Sequence, residues 1–182
     1  MRRLAQQAGM MAAIASLILL LLTGLIYLSG ARFNTSNSIP LGLYWITKHS
    51  IQKGEYVLFC PPPKTIFQKA LIRGYIHSGF CPGGLGYLMK RVAATKGDIV
   101  SINQKGVWVN NRFIEHSLPY PTDEQGRSLP KLTYQQVPLK SSELLLMTDQ
   151  SELSFDARYF GLIKRSQVKA VISPVLTWGS TS

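Results

Sequence analysis

The sequence predicts a mainly β body carried on one N-terminal transmembrane helix, with a short helical insert in the body. Three observations predict it. One apolar run of bilayer length stands near the start. Behind it come short β-rich segments separated by Gly, Pro and Asn, with few stretches of helical period. The chain has 182 residues and 46% hydrophobic content, enough for one domain of ordinary size with a packed core in addition to an anchor. Lys and Arg outnumber Asp and Glu by 20 to 9, but the cations are spread along the chain without a dense block or interleaved aromatics. No direct nucleic-acid binding is expected from such a pattern.

No charged residue lies between positions 4 and 31, and residues 10–28 are nearly continuous hydrocarbon. As a helix this run covers about 28 Å, close to the hydrocarbon thickness of a bilayer. Arg2 and Arg3 precede it, which places the amino terminus in the cytoplasm and the body on the far side. A cleaved signal peptide is the competing reading, since Ser29-Gly30-Ala31 offers small residues where a cleavage site needs them. The run is longer than the usual core of such a leader, and either way the body is exported.

Residues 43–47 and Tyr56–Phe59 read as strands, the second introduced by a turn at Lys53-Gly54-Glu55 and ended by three prolines. Cys60 and Cys81 form an even pair in an oxidising space, most simply a disulfide worth about 3 kcal/mol in the chain-entropy model. Two buried thiols are the alternative. Between them, Phe67, Leu71 and Tyr75 recur at intervals of four, giving a short helix over 65–75 with one apolar face. Residues 87–94 and 99–102 read as strands, and 107–114 as a hairpin turning at Asn110-Asn111. Residues 115–140 hold four prolines and Gly126, which predicts a long excursion with scraps of structure. Strands follow at Glu143–Met147 and over 167–175, the last broken by Pro174.

Ser38, in Ser38-Ile39-Pro40-Leu41-Gly42-Leu43-Tyr44, lies a few residues beyond the apolar run, a placement suited to a nucleophile facing membrane-bound substrate. A turn serine is the plain alternative. Pro40 holds Ile39 extended and stiffens the path after Ser38. On the strand 87–94, alternation puts Lys90 on the face of Leu88, Val92 and Ala94. Such a lysine either snorkels at an edge or is buried for a purpose, and periodicity alone favours snorkelling. Were it buried, desolvation would lower its pKa toward the range of a general base. No metal or cofactor is expected: Cys60 and Cys81 lack zinc-ligand spacing, and His49, His77 and His116 form no ligand pattern with them.

Several ordered motifs carry a family resemblance: Asn37 through Trp45, Tyr56 through Pro62, Gly79 through Gly84, Met89-Lys90-Arg91-Val92 with Lys96-Gly97-Asp98, and Ser154 through Gly161. On these motifs the chain resembles the signal-peptidase family of serine peptidases, and within it the plasmid-encoded branch serving conjugative transfer. The resemblance implies a signal-peptidase-like β body and a dyad of nucleophile Ser38 and general base Lys90. It implies Asp156 as a third residue needed for activity, Ser154 bonded to the lysine, and Arg158 paired with Asp156. A carboxylate very near Lys90 would raise its pKa, so Asp156 fits a positioning role better than a catalytic one. Ser36 matches the oxyanion donor, with Thr35 as an alternative. The family's Gly-Asp-Asn before the last motif is Thr148-Asp149-Gln150 here, which leaves the shape of that turn open.

The resemblance further implies residues 1–9 in the cytoplasm, 10–30 crossing the bacterial inner membrane, and a periplasmic peptidase domain over 31–182, with the insert at 60–81 and the excursion at 115–140. The implied partner is a membrane-bound conjugative pilin precursor, cleaved and joined end to end. The disulfide and helix of the insert suggest that it shields an acyl-enzyme from water. Rival functions are a general signal peptidase, a non-catalytic scaffold of the transfer apparatus, and a Ser/His/Asp enzyme using His77 or His116.

Overall fold

Uninterrupted apolar sequence makes the first element, the helix α1 at Arg2–Leu28. The computed structural model describes residues 2–178, so the last four residues of the expected domain lie outside it. Within α1, the 23-residue span Gln6–Leu28 contains an 18-residue window of mean hydropathy 2.5, compatible in length and composition with a single-pass membrane anchor. The helix begins earlier than the apolar run alone predicts and ends before Gly30, whose φ of 111° cannot continue it.

The body follows as β1 (Ala31–Asn34), β2 (Leu41–Thr47), β3 (Tyr56–Phe59), α2 (Thr65–Ile72), β4 (Ser78–Cys81) and β5 (Leu88–Ala94). Next come β6 (Ile99–Asn103), β7 (Gly106–Val109), β8 (Arg112–Phe113), β9 (Tyr134–Pro138) and β10 (Glu143–Met147). The chain closes with α3 (Ala157–Phe160), β11 (Ile163–Lys164) and β12 (Val168–Trp178). Two sheets result, ordered β1-β2-β12-β3-β5-β10-β11 and β8-β7-β6-β9. The mainly β expectation holds.

The position of β5 inside the larger sheet matters most for the site. It pairs antiparallel with β3 on one side, where Lys90 faces Val57, and with β10 on the other, where Val92 faces Leu146. Both edges are filled, so Lys90 has no rim along which to reach water and is 2% exposed. This corrects the snorkelling that periodicity favours. Alternation fixes which face a residue takes, but not whether its strand is central.

Cys60 and Cys81 are joined, which removes the alternative of two thiols. The closed segment carries α2, which stops at Ile72 instead of reaching Tyr75 because Gly74 turns the chain at φ 78°. Its Phe67 and Ala70 are buried in a core with Phe59, Leu146, Phe155 and Tyr159.

Two other expectations change. The excursion over 115–140 contains β9, which pairs with β6 through Tyr134 opposite Ile102 and Val137 opposite Val100. Gln135, Gln136 and Pro138 hide its alternation; a register shift takes up Gln136 at φ 50°, and the proline stands at the strand end. Pro174 does not end β12, which runs on to Trp178 against β2 with a register shift between Pro174 and Leu176. Gly42 permits the close crossing there, since a Cβ would sit 2.2 Å from the Leu176 carbonyl oxygen.

Candidate active site

Three segments meet at Lys90. β5 supplies the lysine, the loop between β1 and β2 supplies Ser38, and the loop between β10 and α3 supplies Ser154. Lys90 Nζ lies 2.5 Å from Ser38 Oγ and 2.6 Å from Ser154 Oγ, and the two hydroxyl oxygens are 2.9 Å apart. Burial pushes the pKa of Lys90 from its ordinary 10.5 to about 8. Asp156 pulls it up, Arg158 pushes it down and Asp149 pulls it up, but desolvation is the largest of the causes and prevails. At pH 7 such an amine is neutral in about one molecule in ten, against about one in 3,000 at the ordinary value.

The Ser38 loop is shaped by Asn34, a buried residue for which the sequence offers no signal beyond a run of turn-forming side chains. Its amide nitrogen points at the carbonyls of Ser36, Ile39 and Pro40 at 2.8, 2.8 and 3.0 Å. Its Oδ1 accepts from the backbone N–H and the hydroxyl of Ser36. The Ser36 hydroxyl thus points at Asn34 in this structure and must rotate to serve an oxyanion. Tyr44 extends the same brace by donating to the Pro40 carbonyl at 2.7 Å.

From the other side, Thr148 donates its hydroxyl to the Ser38 carbonyl at 2.8 Å, and the Asp149 N–H points at the same oxygen at 3.4 Å. The Thr148 oxygen also accepts from the N–H groups of Gln150 and Ser151, closing the turn whose shape the sequence leaves open. Tyr56 donates to Asp149 at 2.6 Å, with Arg91 3.8 Å from that carboxylate.

Asp156 and Arg158 lie behind these groups, both with fully buried side chains. Asp156 is the N-cap of α3, accepting from the Arg158 N–H, and its Oδ2 also accepts from the Thr148 N–H at 3.2 Å. The Arg158 guanidinium bonds both carboxylate oxygens of Asp156 and the Ser154 carbonyl. The pair therefore reaches Ser38 through Thr148 and Ser154 through its backbone, and Asp156 makes no hydrogen bond to Lys90 among the described residues. His77 and His116 are exposed, and neither bonds Ser38 among those residues. No group of acidic, histidine or cysteine side chains fit to hold a metal occurs among them.

A serine hydroxyl beside a neutralisable, buried amine is compatible with a peptidase that uses a Ser/Lys pair. Residues 1–178 match the signal peptidase family, peptidase S26, and the chain belongs to that family of serine peptidases. Two plasmid transfer proteins TraF of Escherichia coli are similar to it: one is 52% identical over 87% of this chain and 90% of its own, the other 49% identical over 98% and 100%. A conjugal transfer protein TraF of Agrobacterium fabrum is 34% identical over 91% of this chain and 93% of its own. A crystal structure of a signal peptidase I from Enterococcus faecalis covers 70% of this chain and all of its own at 16% identity, with a TM-score of 0.40.

Proposed function

We propose that the protein is a conjugation peptidase that forms an acyl-enzyme on Ser38 with a pilin precursor as substrate, and that an amine of the same substrate takes the acyl group in a cyclisation. The observation that carries this reading is the contact of Lys90 Nζ with Ser38 Oγ inside the sheet, where burial brings the amine within reach of neutrality. The names of the TraF relatives support plasmid transfer as the setting.

Neutral Lys90 takes the Ser38 proton as Oγ attacks the scissile carbonyl, and the resulting ammonium gives it to the departing amine. Ser154 holds the lysine on line. Backbone N–H groups near Ser38, with Ser36 after rotation, meet the developing oxyanion. Asp156 and Arg158 act on positions and not on the reacting atoms. Residues 1–9 lie in the cytoplasm, 10–30 cross the inner membrane and 31–182 work in the periplasm, so enzyme and substrate share one surface and a raised effective concentration.

Mass spectrometry of a coexpressed pilin precursor tests this. A product one water lighter than the linear mature chain is expected from the wild type, with unprocessed precursor in Ser38→Ala and Lys90→Ala. Processing in both variants would overturn the reading in favour of a scaffold, and a linear product alone would leave only hydrolysis.

A further inference from the structure

The disulfide-closed segment and the excursion between β8 and β9 meet beside the nucleophile. A cavity of about 640 Å3 has Asn37, Ser38 and Ser154 in its lining, with Arg73 and Tyr75 of the closed segment and residues 122–125 of the excursion forming other walls. Its volume lies within the range of clefts that take a ligand of drug size. It is also many times the roughly 30 Å3 share of one water, so an unfilled cavity would flood the Ser38 ester.

A latch holds these walls together. The Tyr75 hydroxyl donates to Asp123, which also accepts from Arg127 Nε at 2.5 Å and from the N–H groups of Gln125 and Arg127 at 3.0 and 2.8 Å. Arg73 donates to the Ser128 carbonyl at 2.9 Å, and the Arg127 guanidinium stands 5.6 Å from the Tyr75 ring. Inside, that ring packs at 5.8 Å on Phe155, the residue after Ser154. Tyr75 thus ties the closed segment to the excursion and to the neighbour of a site serine at once.

We propose that this latched cavity is the acceptor chamber of the enzyme: it holds the peptide segment that brings an amine to the Ser38 ester and keeps bulk water away from it. The inference rests on the peptidase reading above. The arriving ammonium first gives one proton to solvent; the amine nitrogen then attacks the ester carbonyl, the C–N bond forms as the C–Oγ bond breaks, and a second amine proton passes through Lys90 to Ser38 Oγ. The enzyme returns unchanged and no water is consumed. Glu124, exposed on the wall, offers a carboxylate to an arriving ammonium group, while Leu129 and Phe155 offer apolar surface to its side chains. An amine held in this way can reach effective molarities of about 10^5 M or more, far above the concentration of water.

The test is the ratio of linear to cyclic product made from the pilin precursor by the full-length enzyme in detergent. Tyr75→Phe, which removes one hydroxyl, and Asp123→Asn are each expected to raise that ratio about fivefold, the effect of losing one latch bond. Reduction of the disulfide should move it the same way. An unchanged ratio in variants that unfold at the wild-type temperature would overturn the proposal, as would a fall in total processing with the ratio unaltered. Should both variants unfold early, Glu124→Gln is expected to raise the ratio about threefold, and no change would be equally fatal. Linear product alone from the wild type would remove the chamber and leave the peptidase; no processing at all would remove both.

Discussion

Of the Asp–Arg pairs in this body, the innermost and the outer one beside Tyr75 show how differently the same chemistry is used. Asp156 and Arg158 have fully buried side chains, whereas Asp123 and Arg127 are 9% and 36% exposed. Each of the five N–H groups of Arg158 is engaged, by Asp156 Oδ1 and Oδ2 and by the carbonyls of Leu118, Glu152 and Ser154. A pair removed from water has to be completed in this way, and completion makes it a rigid frame behind Ser38 and Ser154. The outer pair sits where solvent shares the load, which suits a latch that fixes a wall without deciding whether the body folds.

Arg158→Ala should separate the two most sharply. It leaves the Asp156 charge buried and alone, and a loss of about 3–5 kcal/mol in urea unfolding is expected. A loss below 1 kcal/mol would mean that the frame is no more than a surface pair.

Lys90 should give a pH signature that the latch lacks. Its folded pKa of about 8 lies below the ordinary 10.5, so between those values the unfolded chain binds the proton and the folded chain does not. Stability should therefore rise with pH across that window, by about 3 kcal/mol in all. Below pH 8 both states are protonated and the full penalty of a buried ammonium is present. Lys90→Met should abolish the slope, and a wild-type slope that survives in the variant would assign it to another group.

Thr148→Val removes the hydroxyl that ties the frame to the Ser38 carbonyl while keeping its shape. A roughly tenfold fall in kcat with KM unchanged is expected, and Thr148→Ser should restore it. A rise in KM alone would place Thr148 in substrate binding instead. The smallest effect belongs to the outer pair, where Asp123→Asn should lower the urea unfolding midpoint far less than Arg158→Ala does; an equal loss would make the latch part of the frame.

What could be read from the sequence followed periodicity and motif. Alternation along residues 87–94 put Lys90 on the buried face, and the last motif named Ser154, Asp156 and Arg158 together. Burial depth could not be read, because whether β5 is central depends on β3 and β10, which are far away in sequence. Asn34 and Thr148 were missed for a related reason: their partners are backbone carbonyls, and no side-chain pattern advertises a carbonyl. The strand β9 lay hidden because glutamines and a proline replace the expected alternation, and the latch because Tyr75 and Asp123 belong to separate segments.

The role of Lys90 as the base for Ser38 has its sharpest test in the rate of Ser38 acylation against pH. The wild-type rate should rise through about pH 8 to a plateau, with Lys90→Ala slow and without that rise, while His77→Ala and His116→Ala follow the wild type. A rise centred near pH 6.5 that disappears in either histidine variant while Lys90→Ala still acylates would contradict it.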